Sequence, residues 1–210
     1  MNDVKHWPKL EFQIRQNMRI NEIFYSVQGE GCHAGIPAVF VRFSGCNLQC
    51  SFCDTQHQEG IQMSEAEIVN QVAKYPAQLV VITGGEPSLF LTDTLINALH
   101  DIGKQVAVET NGTHLLPDNV DFVTCSPKFE FCDHAEVVLP RIDELKVVFN
   151  GKNDMKRYDR FANVPNLFLQ PCDTGQPERN VHIMQQTVQY CLEHPQWRIS
   201  IQLHKVLNVR

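Results

Sequence analysis

Nowhere in its 210 residues does this chain string together the roughly 20 apolar residues that a bilayer-crossing helix needs. Residues 1–16 carry no apolar core of the kind a secretory leader has, so a cytoplasmic location is expected. Basic residues are outnumbered: 18 Lys and Arg stand against 24 Asp and Glu, for a net charge of −6. A protein that grips nucleic acid neutralises phosphates with clustered Lys and Arg. No direct nucleic-acid partner and no membrane partner are therefore expected. Repeats, low-complexity tracts and Gly/Ser linkers are missing too, which leaves no visible domain boundary. Residues 18–210 read as one domain, and the polar, aperiodic residues 1–17 as an N-terminal extension.

What is present is an alternation. Residues 38–43, 79–82, 105–109, 122–125, 144–149, 167–170 and 198–203 are short, apolar and rich in β-formers. Residues 64–75 read as a helix, because Ser64 and Glu67 have capping-box spacing and Ile68, Val69 and Val72 share a face. A second helix runs to about His100 and stops near Gly103, and a third spans 181–192. Strands alternating with helices predict an α/β fold on a parallel sheet. The links after Glu109 and Cys125 look poor in helix. A complete eight-unit barrel typically takes ~250 residues, so a partial, open (β/α) barrel is expected.

Eight cysteines in a reducing compartment are not expected to form disulfides. Cys32, Cys125, Cys132, Cys172 and Cys191 are scattered and read as small buried hydrophobes. Cys46, Cys50 and Cys53 are different, since all three lie on one loop after the 38–43 strand. A loop can turn three sulfurs towards one centre, whereas a strand sends neighbours to opposite faces. Iron–sulfur clusters take thiolate ligands. Three thiolates on a four-iron cube leave one iron open for a substrate or cofactor. The competing reading is structural zinc, which wants four donors, the fourth from Cys32, His33 or His57. Zinc motifs usually bring two separated pairs, and no second pair is visible.

Cys-x3-Cys-x2-Cys is the signature of the radical S-adenosylmethionine (SAM) superfamily, and its flanks narrow the match. Tyr25-Ser-Val-Gln-Gly-Glu-Gly31, Gly35, Pro37, Phe40-Val-Arg-Phe-Ser-Gly-Cys-Asn-Leu48 and Cys53-Asp-Thr55 resemble the 7-carboxy-7-deazaguanine synthase family. So do Thr83-Gly-Gly-Glu-Pro87, Glu109-Thr-Asn-Gly112, Ser126-Pro-Lys128, Glu144-Leu-Lys-Val-Val148, Gln170-Pro171 and His194-Pro-Gln-Trp197. His204-Lys205 and Leu207-Asn208 complete the ordered set, which runs from about Ile20 to the C-terminus.

The resemblance implies a role for each motif. Cys46, Cys50 and Cys53 would hold a [4Fe–4S] cluster. Phe52, Gly85, Glu109, Asn111, Ser126, Pro127, Lys128, Gln170, Pro171, Cys172 and Asp173 would contact SAM. The glycines of Thr83-Gly-Gly also have a local rationale, for they let backbone approach a ligand closely; an ordinary strand-to-helix turn would use them as well. Val27, Gln28, Gly29, Arg42 and Thr83 would contact the substrate. Arg42 suits a substrate carboxylate through its bidentate fork, and flanking Val41 and Phe43 should face the opposite side. On residue pattern alone Arg42 would read as solvent-facing, and Glu109 equally as a solvated strand end. Thr55 would ligate Mg²⁺, a sparse site of the kind that magnesium shares with substrate and water. The terminal carboxylate of Arg210 would reach the substrate.

The implied activity is conversion of 6-carboxy-5,6,7,8-tetrahydropterin to 7-carboxy-7-deazaguanine with loss of ammonia, for queuosine and related 7-deazapurine pathways. The cofactors would be the [4Fe–4S] cluster, SAM and Mg²⁺, with an external one-electron reductant and a homodimeric assembly. A glycyl-radical activase would share the cysteine loop and the Gly-Gly-Glu-Pro turn without needing Arg42. A zinc-stabilised binding module would need no catalysis.

Overall fold

The computed structural model describes residues 17–53 and 59–210. The expected extension therefore lies outside the described residues except for Asn17, and Thr55 lies outside them as well. One nine-stranded sheet organises the chain, in the order β3-β1-β2-β4-β5-β6-β7-β8-β9. Its strands are β1 (Met18–Val27), β2 (Pro37–Phe43), β3 (Ile61–Met63), β4 (Leu79–Gly84), β5 (Gln105–Thr110), β6 (Phe122–Cys125), β7 (Glu144–Phe149), β8 (Leu167–Pro171) and β9 (Trp197–Ile199). From β2 onward all neighbours in this order are parallel, while β1 pairs antiparallel with both β2 and β3. The sheet does not close on itself, so the architecture is the expected open α/β half-barrel.

The helices are α1 (Glu65–Val72), α2 (Asp93–Asp101), α3 (Pro177–Glu193) and α4 (Leu203–Leu207). The α1 start forms as its sequence demands: Ser64 Oγ accepts from Glu67 N, and the Glu67 carboxylate accepts from Ser64 N. As the sequence suggested, the β5–β6 link contains no helix and neither does the β6–β7 link.

Period-two alternation divides the strands into two faces. Val39, Val41 and Phe43 of β2, Val80 and Ile82 of β4, and Val106 and Val108 of β5 point outward. They bury against Ile68 and Val72 of α1 and Leu95, Ile96 and Leu99 of α2. A second outer cluster joins Leu145, Val147 and Phe149 of β7 to Leu167, Leu169, Tyr158, Phe161 and Trp197. The inner face starts apolar, with Ala38, Phe40, Leu79, Val81 and Ala107 packed on Phe24. One step further towards the strands' C-terminal ends it turns polar, with Arg42 on β2, Thr83 on β4, Glu109 on β5, Lys146 on β7 and Gln170 on β8.

Two features depart from the sequence reading. β1 is absent from the strands that the sequence marks, because its alternation breaks. The register slips between Ile20 and Glu22. Met18 and Ile20 face the outer core on one side of this bulge, and Ile23 does so on the other. The apolar phase thus changes from even to odd in mid-strand. The strand expected over 198–203 ends at Ile199, and Leu203 opens α4 instead. Ser200 makes the last pairing to Leu169 O, and Leu203 N then donates to Gly29 O. The β1–β2 loop draws the chain out of the sheet.

Candidate active site

The polar ends of the inner face open into a single cavity of about 1010 Å³. It is lined by the β1–β2 loop, the cysteine loop, the turns after β4, β5, β6 and β8, and the C-terminal segment. Nearly every residue that the sequence singled out lines it. Val27, Gln28, Gly29, Arg42, Cys46, Cys50, Phe52, Cys53, Thr83, Gly85, Glu109, Asn111, Ser126, Lys128, Gln170, Pro171, Cys172, Asp173 and Arg210 are all there. Pro127 is buried and does not line it.

At one end sit the three motif thiols. The loop that carries them is locked to the turn after β4 by backbone: Gly85 N donates to Phe43 O at 2.9 Å and Glu86 N to Gly45 O at 2.8 Å. This approach is why Gly85 is glycine, since a Cβ there would lie 1.9 Å from Gly45 O. The next turn is tied in by Glu86, which is fully buried. Its carboxylate accepts from Thr110 Oγ1 at 2.6 Å, Asn111 N at 2.7 Å and Ser88 N at 3.0 Å. Asn111 Nδ2 in turn donates to Asn47 Oδ1 at 3.0 Å, closing a ring of contacts around the cysteine loop. The loop after β6 folds over it, with Phe131 edge-on to Phe52 at 4.4 Å and Cys132 Sγ 3.6 Å from Cys50 Sγ. Burial, reinforced by Cys132, pushes the Cys50 thiol up to about 12, and burial also raises Cys46. Metal coordination opposes that shift, because it takes the thiolate. Among the described residues no three donors converge on one metal ion. Cys46, Cys50 and Cys53 all line the same cavity.

The opposite end is charged. Arg42 pairs through Nε with Glu22 Oε1 at 2.9 Å and lies over the Phe24 ring, and Arg210 pairs with the other Glu22 oxygen over the same ring. The chain's last residue is thereby brought beside Arg42. As expected, Val41 and Phe43 face the outer core while Arg42 faces the cavity. Elsewhere on the cavity wall, next to the Cys172 that packs with Phe52, Asp173 accepts from Lys205 at 2.5 Å, from Asn180 and from Gly175 N; the Lys205 contact above all lowers its carboxyl to about 2.

Between the two ends lies a network built on Glu30, Glu144, Lys146 and Gln202, to which the sequence reading gives no role. Lys146 Nζ donates to Glu30 Oε2 at 2.5 Å and to Glu109 Oε1 at 3.2 Å. Glu30 Oε1 also accepts from Gln170 and Gln202, each at 3.1 Å. Glu109 accepts from Gln28 at 3.0 Å and from Thr83 at 3.4 Å. Glu144 takes Cys32 N at 2.6 Å and Thr124 Oγ1 at 3.3 Å, pinning the β1–β2 loop over β7. A signal for these residues existed. Glu144 and Lys146 are charges two apart in an otherwise apolar strand, so they share its inner face. His204, also unassigned, lines the cavity so closely that a Cβ on Gly29 would fall 2.4 Å from its Nδ1.

Comparison with known proteins agrees with this geometry. The radical SAM superfamily profile matches residues 40–124. A 7-carboxy-7-deazaguanine synthase from Bacteroides thetaiotaomicron is 50% identical over 192 residues, 91% of this chain and 98% of that protein. Those from Caulobacter vibrioides and Bordetella pertussis are 43% and 41% identical, again over 98% of their lengths. The crystal structure of QueE from Escherichia coli superposes with a TM-score of 0.75 at 28% identity, covering 92% of this chain and 97% of that one. The three thiols, the glycine turn that clasps their loop and the charged pocket beyond them are thus accounted for together: this chain belongs to the 7-carboxy-7-deazaguanine synthase family, radical SAM enzymes that use a [4Fe–4S] cluster and SAM.

Proposed function

We propose that the chain converts 6-carboxy-5,6,7,8-tetrahydropterin to 7-carboxy-7-deazaguanine with loss of ammonia. The observation that carries this reading is the continuity of one cavity from the Cys46/Cys50/Cys53 end to the Arg42/Arg210 end. When bound there, the cluster and SAM supply a 5′-deoxyadenosyl radical by one-electron cleavage of the sulfonium C–S bond.

The chain's own residues bind, orient and shield. Backbone around Gly85 receives the methionyl end of SAM beside the cysteine loop, and Asn111, Ser126 and Lys128 complete that side, with buried Pro127 behind them. Phe52, Glu109, Gln170, Pro171, Cys172 and Asp173 border the rest of SAM. Val27, Gln28, Gly29 and Thr83 frame the pterin. Arg42 takes the substrate carboxylate, exchanging part of its Glu22 pairing for it, and the terminal carboxylate of Arg210 borders the same ligand. Thr55 contributes to Mg²⁺ binding with substrate and water. An external one-electron reductant serves the cluster. A cytoplasmic homodimer, a single domain over 18–210 and the absence of a nucleic-acid partner belong to the same reading. No described helix is long and apolar enough to cross a membrane.

Anaerobic reconstitution with iron and sulfide, then incubation with SAM, reductant, Mg²⁺ and the tetrahydropterin, tests it by mass spectrometry. Formation of 7-carboxy-7-deazaguanine is expected. A cluster-loaded protein that cleaves SAM and leaves the pterin unchanged would sink the substrate assignment.

A further inference from the structure

Lys146 is a buried ammonium at the centre of the cavity wall, between the SAM and pterin halves of the proposed site. It makes two carboxylate contacts, to Glu30 on the β1–β2 loop and to Glu109 at the end of β5. Those carboxylates are in turn the acceptors for Gln170 and Gln202 on one side and for Gln28 and Thr83 on the other. One side chain thus ties the β1–β2 loop to the end of β5 through two carboxylates, beside the direct Gln28–Glu109 contact between the same elements. We infer that Lys146 is a positioning residue: its ammonium fixes the Glu30 and Glu109 carboxylates relative to each other, and so fixes where the two ligands of the site meet. The inference rests on the function above only for the identity of those ligands.

The electrostatics agree with the geometry. Burial disfavours the Lys146 ammonium, yet Glu109, Glu30 and Glu144 together outweigh it and hold the group above the usual lysine range. Burial likewise works against an ionised Glu30, and Lys146 outweighs it, with smaller help from Gln202 and His204. Lys128 is the other cation whose charge is felt at Lys146. Removing the ammonium leaves the burial of Glu30 opposed only by the weaker effects of Gln202 and His204, so its carboxyl rises and takes a proton as the pH falls.

The test uses the cluster-loaded protein, anaerobically, with two probes: SAM by calorimetry and 6-carboxypterin, an oxidised substrate analogue, by its fluorescence. The variants are Lys146→Met, Glu30→Gln and the double variant, which removes one charge of each sign. Wild-type affinities measured between about pH 6 and 8.5 give the baseline profile, which includes the titration of the probes themselves. Lys146→Met should bind at least one probe about tenfold more weakly at the acid end and recover as the pH rises. The double variant should melt close to wild type, yet bind about tenfold more weakly than Glu30→Gln alone, because Glu109 has lost its cationic partner and keeps only Gln28 and Thr83. A Lys146→Met protein with wild-type affinity for both probes at every pH overturns the inference. So does a double variant that matches Glu30→Gln for both, and this comparison decides the matter if Lys146→Met does not fold. Failure of wild type to bind 6-carboxypterin would instead count against the pterin reading, and the SAM titration would then decide the role of Lys146 alone.

Discussion

Gly85 and Gly45 are neighbours through bare backbone, and a methyl group at Gly85 has nowhere to go. Its clash is with a carbonyl rather than a flexible side-chain end. Gly85→Ala should therefore cost roughly 1–3 kcal/mol by overpacking. It should also loosen the cysteine loop, which calorimetry and iron content can check; a variant with wild-type melting and full iron would contradict the geometry. Cys50→Ala should lose iron retention and SAM cleavage together, and an active variant would remove Cys50 from the ligand set. Arg42→Ala should keep its iron while pterin turnover drops about 10- to 100-fold, the range of a lost charge-assisted bond. Loss of the cluster in that variant would make Arg42 structural. At this scale the sequence was informative wherever chemistry is local. Three thiols at fixed spacing and a glycine pair after a strand can be read without a fold. The partners of Lys146 could not, since they lie 116 residues away at Glu30 and 37 away at Glu109.

Elements were legible in proportion to how locally they are specified. The α1 start was visible because a capping box spans only Ser64 to Glu67. Ser64→Ala should lose about 1 kcal/mol of stability, measurable as a lower denaturant midpoint at unchanged slope, and an unshifted midpoint would show that packing alone holds that end. The parallel strands were visible as apolar runs bounded by turns. β1 was not, because its bulge at Asn21 shifts the apolar phase. The last strand was overextended because Ile201 and Leu203 continue a β-like pattern, while Leu203 N is in fact captured by Gly29 O. α3 carries a related lesson. Its apolar residues at 181, 184, 188 and 192 do mark a helix, yet they stay exposed, and the face buried against the sheet holds Ile183 and Thr187.

That outward stripe belongs to the scale of the whole molecule. Val181, Met184, Val188 and Leu192 recur at helical spacing on an accessible face, and a homodimer of the kind proposed has an apolar surface there to cover. Replacing Val181 and Val188 with Lys should shift sedimentation from dimer towards monomer with iron content preserved; a wild-type monomer would refute the assembly. The sequence by itself determined the spacing of the cysteine triad, the glycine turns, the strand–helix alternation and an open rather than a closed barrel, because each depends on spacing within a few residues or on total length. Only the tertiary structure decided which charges meet. Glu30 joins Lys146, Gln170 and Gln202 across 116, 140 and 172 residues, and Arg210 returns across 188 to Glu22. Such pairings follow from the curvature of the sheet, which brings the β1–β2 loop over β7 and β8, and no periodicity along the chain encodes that distance.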